Sequence, residues 1–376
     1  MILKRIIENS ILQKLSPGKV VVLLGARRVG KTFLLKKILS SVKEKYIFWN
    51  GEDFAVHEIL KRRSVQNYKN IIADNTLLVI DEAQKIPEIG LILKLIVDSF
   101  ENLKIIVSGS SAFDITNLTG EPLTGRKHQI LIFPFVEKEY AQTEKPEERF
   151  DNMKERLVFG SMPELINLNN NKEKEEYLRE IINSYLLKDV LALEKIKNSS
   201  KIFDLLKLIA YQTGNEVSMQ EIGSHLSMSK NTVEHYLDIL SKVFVVYKLT
   251  GFSRNLRKEI VKNSKWYFHD NGIRNAIIAN FQAIELRNDV GALWENYMIG
   301  ERIKKQTYDG MIVNNYFWRT YDQQELDFVE ERGGKLFAYE FKWKEQKVKL
   351  PAAWGKAYPD SNFKLVTPDN YIEWLN

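Results

Sequence analysis

The sequence predicts an α/β chain: a parallel sheet wound with helices at the amino-terminal end, then a helical stretch and smaller mixed α/β parts. Three observations predict it. Five apolar runs recur over the first 140 residues with helix-spaced stretches between them, the pattern of a parallel sheet with crossover helices. A glycine-bracketed loop joins the first run to the first helix. Two alternating runs near the end of the chain flank Glu331-Arg332-Gly333-Gly334, a hairpin signal.

At 376 residues the chain exceeds a single core. Its composition shifts suggest parts at 1–140, 141–200 (a helical connector), 201–258 and 286–376. No window approaches the ~18 consecutive apolar residues of a membrane span, so no membrane is expected. The first residues, MILKRIIENSILQKL, carry charges too often for a secretory signal. The absence of cysteine excludes disulfides, thiolate catalysis and Cys-bound zinc, and suits a reducing cytoplasm. A net charge of +6 permits nucleic-acid binding without demanding it.

Lys19 to Leu24 reads as a strand buried on both faces. Gly25-Ala26-Arg27-Arg28-Val29-Gly30-Lys31-Thr32 follows at once and matches G-x-x-x-x-G-K-[ST], and Phe33 to Leu39 has helical spacing. In such a loop the backbone amides converge on phosphate oxygens at a helix N-terminus. Lys31 is expected to reach the β- and γ-phosphates of ATP, and the Thr32 hydroxyl to coordinate Mg²⁺.

Tyr46 to Asn50 is the second strand. Thr76 to Ile80 is the third, and it ends in Asp81-Glu82-Ala83-Gln84. An acid at that carboxyl end can hold the Mg²⁺ shell, the role given to Asp81. Glu82 beside it is expected to orient or activate the attacking water. Leu103 to Val107 is the fourth strand. The hydroxyls of Ser108 and Ser110 after it either sense the γ-phosphate or belong to a plain turn. Gln129 to Phe133 is the fifth, preceded by Leu123-Thr124-Gly125-Arg126. Arg126 is either a γ-phosphate contact, in cis or from a neighbouring subunit, or an exposed structural arginine.

GARRVGKT, LLVIDEAQ, IIVSGSSA, LTGR and IFPFVEKEY, in this order and spacing, together resemble the AAA-type ATPases that carry a C-terminal DUF4143 domain, within the AAA+/STAND-like P-loop NTPases. The resemblance implies ATP binding by these motifs and a γ-phosphate-sensing, catalytic role for Arg126 beside Lys31 and Glu82. It leaves the cellular task and the oligomeric state open.

Ala141 to Arg149 reads as an exposed loop. Phe159 to Glu164 resembles the family's glycine–proline turn, and Lys172 to Lys197 is strongly helical. Ser218-Met219-Gln220-Glu221 is a capping box, and Ser229 is placed to cap a second helix, Lys230 to Leu240. Two short helices followed by a β-element resemble a winged helix-turn-helix. Lys230, Asn231, Thr232 and His235 would then face a DNA major groove, and Arg254, Arg257 and Lys258 would hold phosphates. From 201 to 258, eight Lys/Arg less five Asp/Glu leave only +3, and such modules also serve as protein contacts.

In the terminal hairpin, a two-residue Gly333-Gly334 turn would pair Arg332 with Lys335 and set Asp327 opposite Glu340. Lys342 shares a face with Glu340, and a helix from Val290 would add Glu295. This arrangement resembles the PD-(D/E)xK nuclease superfamily. The likeness implies that Glu295, Asp327 and Glu340 ligate Mg²⁺ and that Lys342 stabilises the attacking water. The other reading of the same residues is an inactive remnant whose charges pair among themselves. The expected protein therefore hydrolyses ATP and acts on DNA. The alternative is a nucleotide-switched scaffold that binds a protein partner.

Overall fold

The computed structural model describes residues 3–110, 123–186, 199–253, 264–344 and 346–376. They form two compact units, one of Ile2–Phe135 with Lys242–Phe244, the other of Val136–Ser241 and Val245–Asn376.

In the first unit α1 (Glu8–Lys14) leads into β1 (Val20–Leu24), α2 (Lys31–Ser41), β2 (Tyr46–Asn50), α3 (Phe54–Lys61) and α4 (Val65–Ile72). β3 (Leu77–Asp81), α5 (Ile89–Ser99), β4 (Lys104–Gly109) and β5 (Lys127–Leu131) complete it. The five expected strands form one parallel sheet in the order β2-β3-β4-β1-β5. β1 and β3 are buried along their whole length, the cause of their unbroken apolar runs. Val20, Val22 and Leu24 of β1 pack with Ile92, Leu93 and Ile96 of α5 in the main core. The order has one consequence for chemistry: β4 lies between β1 and β3, so its carboxyl end stands between the ends of the other two.

The second unit opens with α6 (Glu137–Tyr140), α7 (Arg149–Phe159) and α8 (Asn171–Glu180). The helix expected over 172–197 regularly runs only to Glu180, a π turn follows (Ile181–Leu186), and the rest lies outside the described residues. Next come α9 (Ser199–Tyr211), β6 (Glu216–Val217), α10 (Met219–Leu226), α11 (Lys230–Lys242), β7 (Val246–Gly251) and β8 (Ser264–Phe268). Then follow α12 (Asn271–Ile277), α13 (Val290–Tyr308), β9 (Asn314–Arg319), β10 (Glu325–Arg332) and β11 (Lys335–Phe341). α14 (Ala352–Ala357), β12 (Asn362–Val366) and α15 (Tyr371–Leu375) end the chain.

Local expectations hold here. The Ser218 hydroxyl accepts from Glu221 N at 3.3 Å and Ser229 from Thr232 N at 3.1 Å, so both helix starts are capped. Arg332 pairs with Lys335 across Gly333 and Gly334, whose φ angles of 55° and 73° define a hairpin turn. β7 pairs with β8 on one side and, in parallel, with β9 on the other, so parts expected to be separate share one seven-stranded sheet, β12-β11-β10-β9-β7-β8-β6. Which strand lies beside an edge is a non-local pairing with no mark in the local sequence. The turn at Gly160 is a joint: Ser161 N donates to Asp270 Oδ2 at 2.7 Å, and Asp270 also caps α12 at Ile273 N. Among the described residues no helix is long and apolar enough to cross a membrane.

Candidate functional site

The loop from Gly25 to Gly30 leaves the end of buried β1 and turns into α2. Gly30, at φ 90°, is left-handed, which a side chain rarely adopts. Arg28 also has positive φ, at 65°, while Val29 is buried beneath the loop. Lys31 is 5% exposed, and its ammonium donates to Gly25 O at 3.0 Å and Ala26 O at 2.9 Å, so it lies folded over the concavity of its own loop.

Thr32 Oγ1 donates to Asp81 Oδ2 at 2.6 Å. The other Asp81 oxygen accepts from the Ser108 hydroxyl, and Ser108 Oγ accepts from Glu82 N at 3.0 Å. Ser108 occupies this position because β4 separates β1 from β3. Glu82 takes a left-handed backbone, φ 48°, the kind of sparsely populated conformation that collects at functional sites. Behind it Gly51 N donates to Asp81 O at 2.7 Å, and a Cβ on Gly51 would run into the Glu82 carbonyl. The hard oxygens of Thr32 and Asp81 at a loop rich in amides suit Mg²⁺ with a phosphate chain. Ser110 accepts from Gln84 Nε2 at 3.0 Å.

Arg126 stands elsewhere. β1 and β5 run parallel with Val20 beside Lys127, and Val20 N donates to Arg126 O at 2.8 Å, so Arg126 lies at the amino edge of the sheet. The phosphate loop is at the carboxyl edge, a five-residue strand or about 16 Å away. The guanidinium pairs instead with Asp98 at 2.7 Å. A contact in cis is thereby corrected: the arginine does not reach its own loop, because residues before a strand and residues after its parallel neighbour lie at opposite ends.

In the second unit the structure brings together the four C-terminal residues picked out by spacing. Asp327 Oδ2 accepts from Phe341 N at 2.8 Å, and Lys342 Nζ lies 2.6 Å from Glu340 and 3.7 Å from Asp327. The pairing of β10 with β9 shifts register between Leu326 and Val329, a bulge that holds Asp327; bulges re-aim side chains beside sites. Glu295 on α13 accepts from the Tyr267 hydroxyl at 2.6 Å. Burial raises the Glu295 carboxyl, Asp327 adds to that, and Lys265 and Tyr267 only partly offset it, leaving it at about 8. Burial likewise raises Asp327 and Glu340.

Sequence reading missed Lys265, which is 1% exposed, lies 3.6 Å from Glu295 and is bonded to Glu325. Burial works against its ammonium, and the carboxylates of Glu295, Glu325 and Asp327 outweigh that, so its pKa ends above the ordinary value. A lysine inside a wholly buried strand was the available signal. Among the described residues no group of three or more His, Cys, Asp or Glu side chains is set to hold a metal ion. The ammonium groups of Lys265 and Lys342 stand against the carboxylates of Glu295, Asp327 and Glu340.

On α11, Lys230, Asn231 and His235 are exposed and Thr232 half-buried. Lys230 pairs with Glu234 at 3.6 Å, and Glu234 and Asp238 share the exposed surface. Arg254, Arg257 and Lys258 lie outside the described residues.

A parallel sheet carrying this loop, with an acid pair two strands away, defines the first unit as a P-loop ATPase-like domain. Residues 17–141 match the family model described as an AAA domain. Residues 150–283 match a domain of unknown function, DUF8612, and residues 290–363 another, DUF4143. The chain is 26% identical over 401 residues to an uncharacterized protein of Methanocaldococcus jannaschii, covering 96% of this chain and 85% of that one. It is 24% identical over 329 residues to an uncharacterized protein of Mycobacterium tuberculosis, covering 86% and 70%. A Pyrococcus horikoshii STAND protein with a tetratricopeptide repeat sensor is 12% identical, covering 82% of this chain and 47% of that one, at a TM-score of 0.24, too slight a likeness to bear on fold or function.

Proposed function

We propose that this chain is a Mg²⁺-dependent ATPase that acts on DNA. The observation that carries the ATPase is Asp81, whose two oxygens are held by Thr32 and by Ser108 at the end of the intervening strand. In this reading the loop amides and Lys31 bind the phosphates, and Thr32 with Asp81 would hold Mg²⁺, which would supply positive charge against the phosphate chain. Glu82 orients the attacking water, and Ser108 and Ser110 report the γ-phosphate. Arg126 serves only in trans, from another copy.

DNA contact is read from the element order α9-β6-α10-α11-β7-β8 with β6 and β7 on either side of β8, the order of a winged helix. The exposed Lys230, Asn231 and His235 with Thr232 at the start of α11 are its contact residues, and Glu234 and Asp238 keep phosphate from the rest of the helix. The C-terminal part is read as a nuclease-like fold used for binding, its carboxylates neutralised by Lys265 and Lys342. One observation favours cleavage instead: Lys342 is 30% exposed beside Glu340, which leaves that side of the cluster open.

The test is ATP turnover in Mg²⁺ with and without DNA, with gels of the DNA. Lys31→Ala is expected to abolish nucleotide binding. Glu82→Gln is expected to retain binding and lose turnover by about 10²- to 10³-fold. Turnover stimulated by DNA that stays intact would support binding without cutting. Cleavage abolished by Asp327→Ala would establish a nuclease, and turnover indifferent to DNA would leave the nucleotide-switched scaffold.

A further inference from the structure

Gln84 sits two residues past Glu82 on the short 3₁₀ turn Ala83–Lys85, and none of the roles above uses it. Its amide nitrogen donates to Glu82 Oε2 at 2.5 Å and to Ser110 Oγ at 3.0 Å. Charge fixes the sense of the amide: turned over, it would set a carbonyl oxygen against a carboxylate with no proton between them. Its own oxygen, Oε1, is therefore the atom left over. That atom is buried and has no donor among the described residues. A buried amide oxygen without a donor costs on the order of 1–3 kcal/mol, and native sites satisfy such atoms with water or ligand.

The backbone accounts for the placement. The left-handed Glu82 turns the chain sharply, Lys85 N donates to Glu82 O at 2.9 Å, and residues 82 and 84 come to one side. Two hydroxyls two residues apart then hold the two halves of the acid pair. Ser108 fixes Asp81 and the Glu82 amide, while Ser110, through Gln84, fixes the Glu82 carboxylate.

We propose that Gln84 is the positioning residue for ATP hydrolysis: its amide aims the Glu82 carboxylate, and its carbonyl oxygen accepts one O–H of the attacking water. The inference rests on the ATPase reading above. Held by Gln84 and Glu82, the water turns its lone pair to the γ-phosphorus. Its oxygen bonds to phosphorus as the bond to the β,γ-bridging oxygen breaks, and its other proton passes to Glu82 and on to the departing phosphate. Gln84 occupies Glu82 Oε2, which leaves Oε1 to take that proton. Ser110 makes the same link answer to the end of β4.

The test uses the full chain, with steady-state ATP turnover, equilibrium binding of a fluorescent ATP analogue, and thermal unfolding. Gln84→Met keeps the length and removes the donors and the acceptor. Its kcat is expected to fall roughly 10- to 100-fold, with KM and analogue affinity within about twofold and the melting midpoint unchanged, since the change is confined to aim. The double variant with Glu82→Gln is expected to turn over no more slowly than Glu82→Gln alone, because both changes disable one device. A wild-type kcat in Gln84→Met, or losses that multiply in the double variant, would overturn the proposal. So would lost analogue binding together with a lowered melting point, which would make Gln84 a packing residue. If the wild type binds the analogue but never hydrolyses ATP, the ATPase reading fails first, and that is visible before any variant is made.

Discussion

His269 follows the buried strand β8, where burial and then the nearby Lys304 hold its imidazole down to about 3. An ordinary histidine titrates near 6.5, so the unfolded chain takes up a proton in a range where the folded chain does not. The stability from this residue is therefore complete above about pH 6.5 and is lost as pH falls toward 3, with a slope approaching about 1.4 kcal/mol per pH unit. His269→Gln is expected to flatten urea-measured stability over that window; an unchanged slope would assign the acid sensitivity elsewhere. Lys265 poses the opposite problem. Removing a buried cation leaves carboxylates without a counter-charge, which costs about 3–5 kcal/mol. Lys265→Met should destabilise by that order, and a second change, Glu295→Gln, should recover part of the loss.

At the scale of elements, α11 depends on its first turn. Ser229→Ala removes the acceptor for Thr232 N and is expected to cost about 1 kcal/mol in chemical unfolding. Ser229→Asp should restore it. The turn after β2 is held differently. Gly51 approaches the Glu82 carbonyl too closely for a Cβ, so Gly51→Ala must displace the backbone that carries Glu82. The expected result is a fall in ATP turnover larger than any fall in nucleotide affinity, measured by the kcat and KM of the variant. Both arguments concern single turns, and both were half legible. The Ser-x-x cap is local chemistry that a sequence displays, whereas Gly51 reads as an ordinary glycine until β2 and β3 are side by side.

For the whole molecule, the proposed DNA contact makes a prediction from charge. The formal charge of +6 is modest, and α11 exposes acids beside its few cations. Few phosphates are therefore neutralised, and the slope of log affinity against log salt is expected to be shallow, about −3 to −4. A slope near −8, measured by anisotropy on a short duplex, would require a larger basic surface than the described residues of α11 provide.

The phosphate loop was legible because its chemistry is consecutive: strand, loop and helix follow each other within one stretch of chain, so residue types and spacing suffice. The hairpin register from Arg332–Lys335 back to Phe328–Tyr339, next to Asp327, was legible for the same reason, since a tight hairpin makes pairing a matter of counting from Gly333-Gly334. Which of the open roles Arg126 could take was not legible, because proximity in sequence to β5 says nothing about which end of the sheet it occupies. Lys265, the bulge at Asp327 and the fusion of β7 with β9 depend on segments far apart in the chain. The sequence alone determined the strand, loop and helix around Gly25–Thr32 and the local caps and turns, because these follow from neighbouring residues. Only the tertiary structure decided which charges meet inside the second unit, because burial and long-range pairing choose the counter-charge of each buried acid.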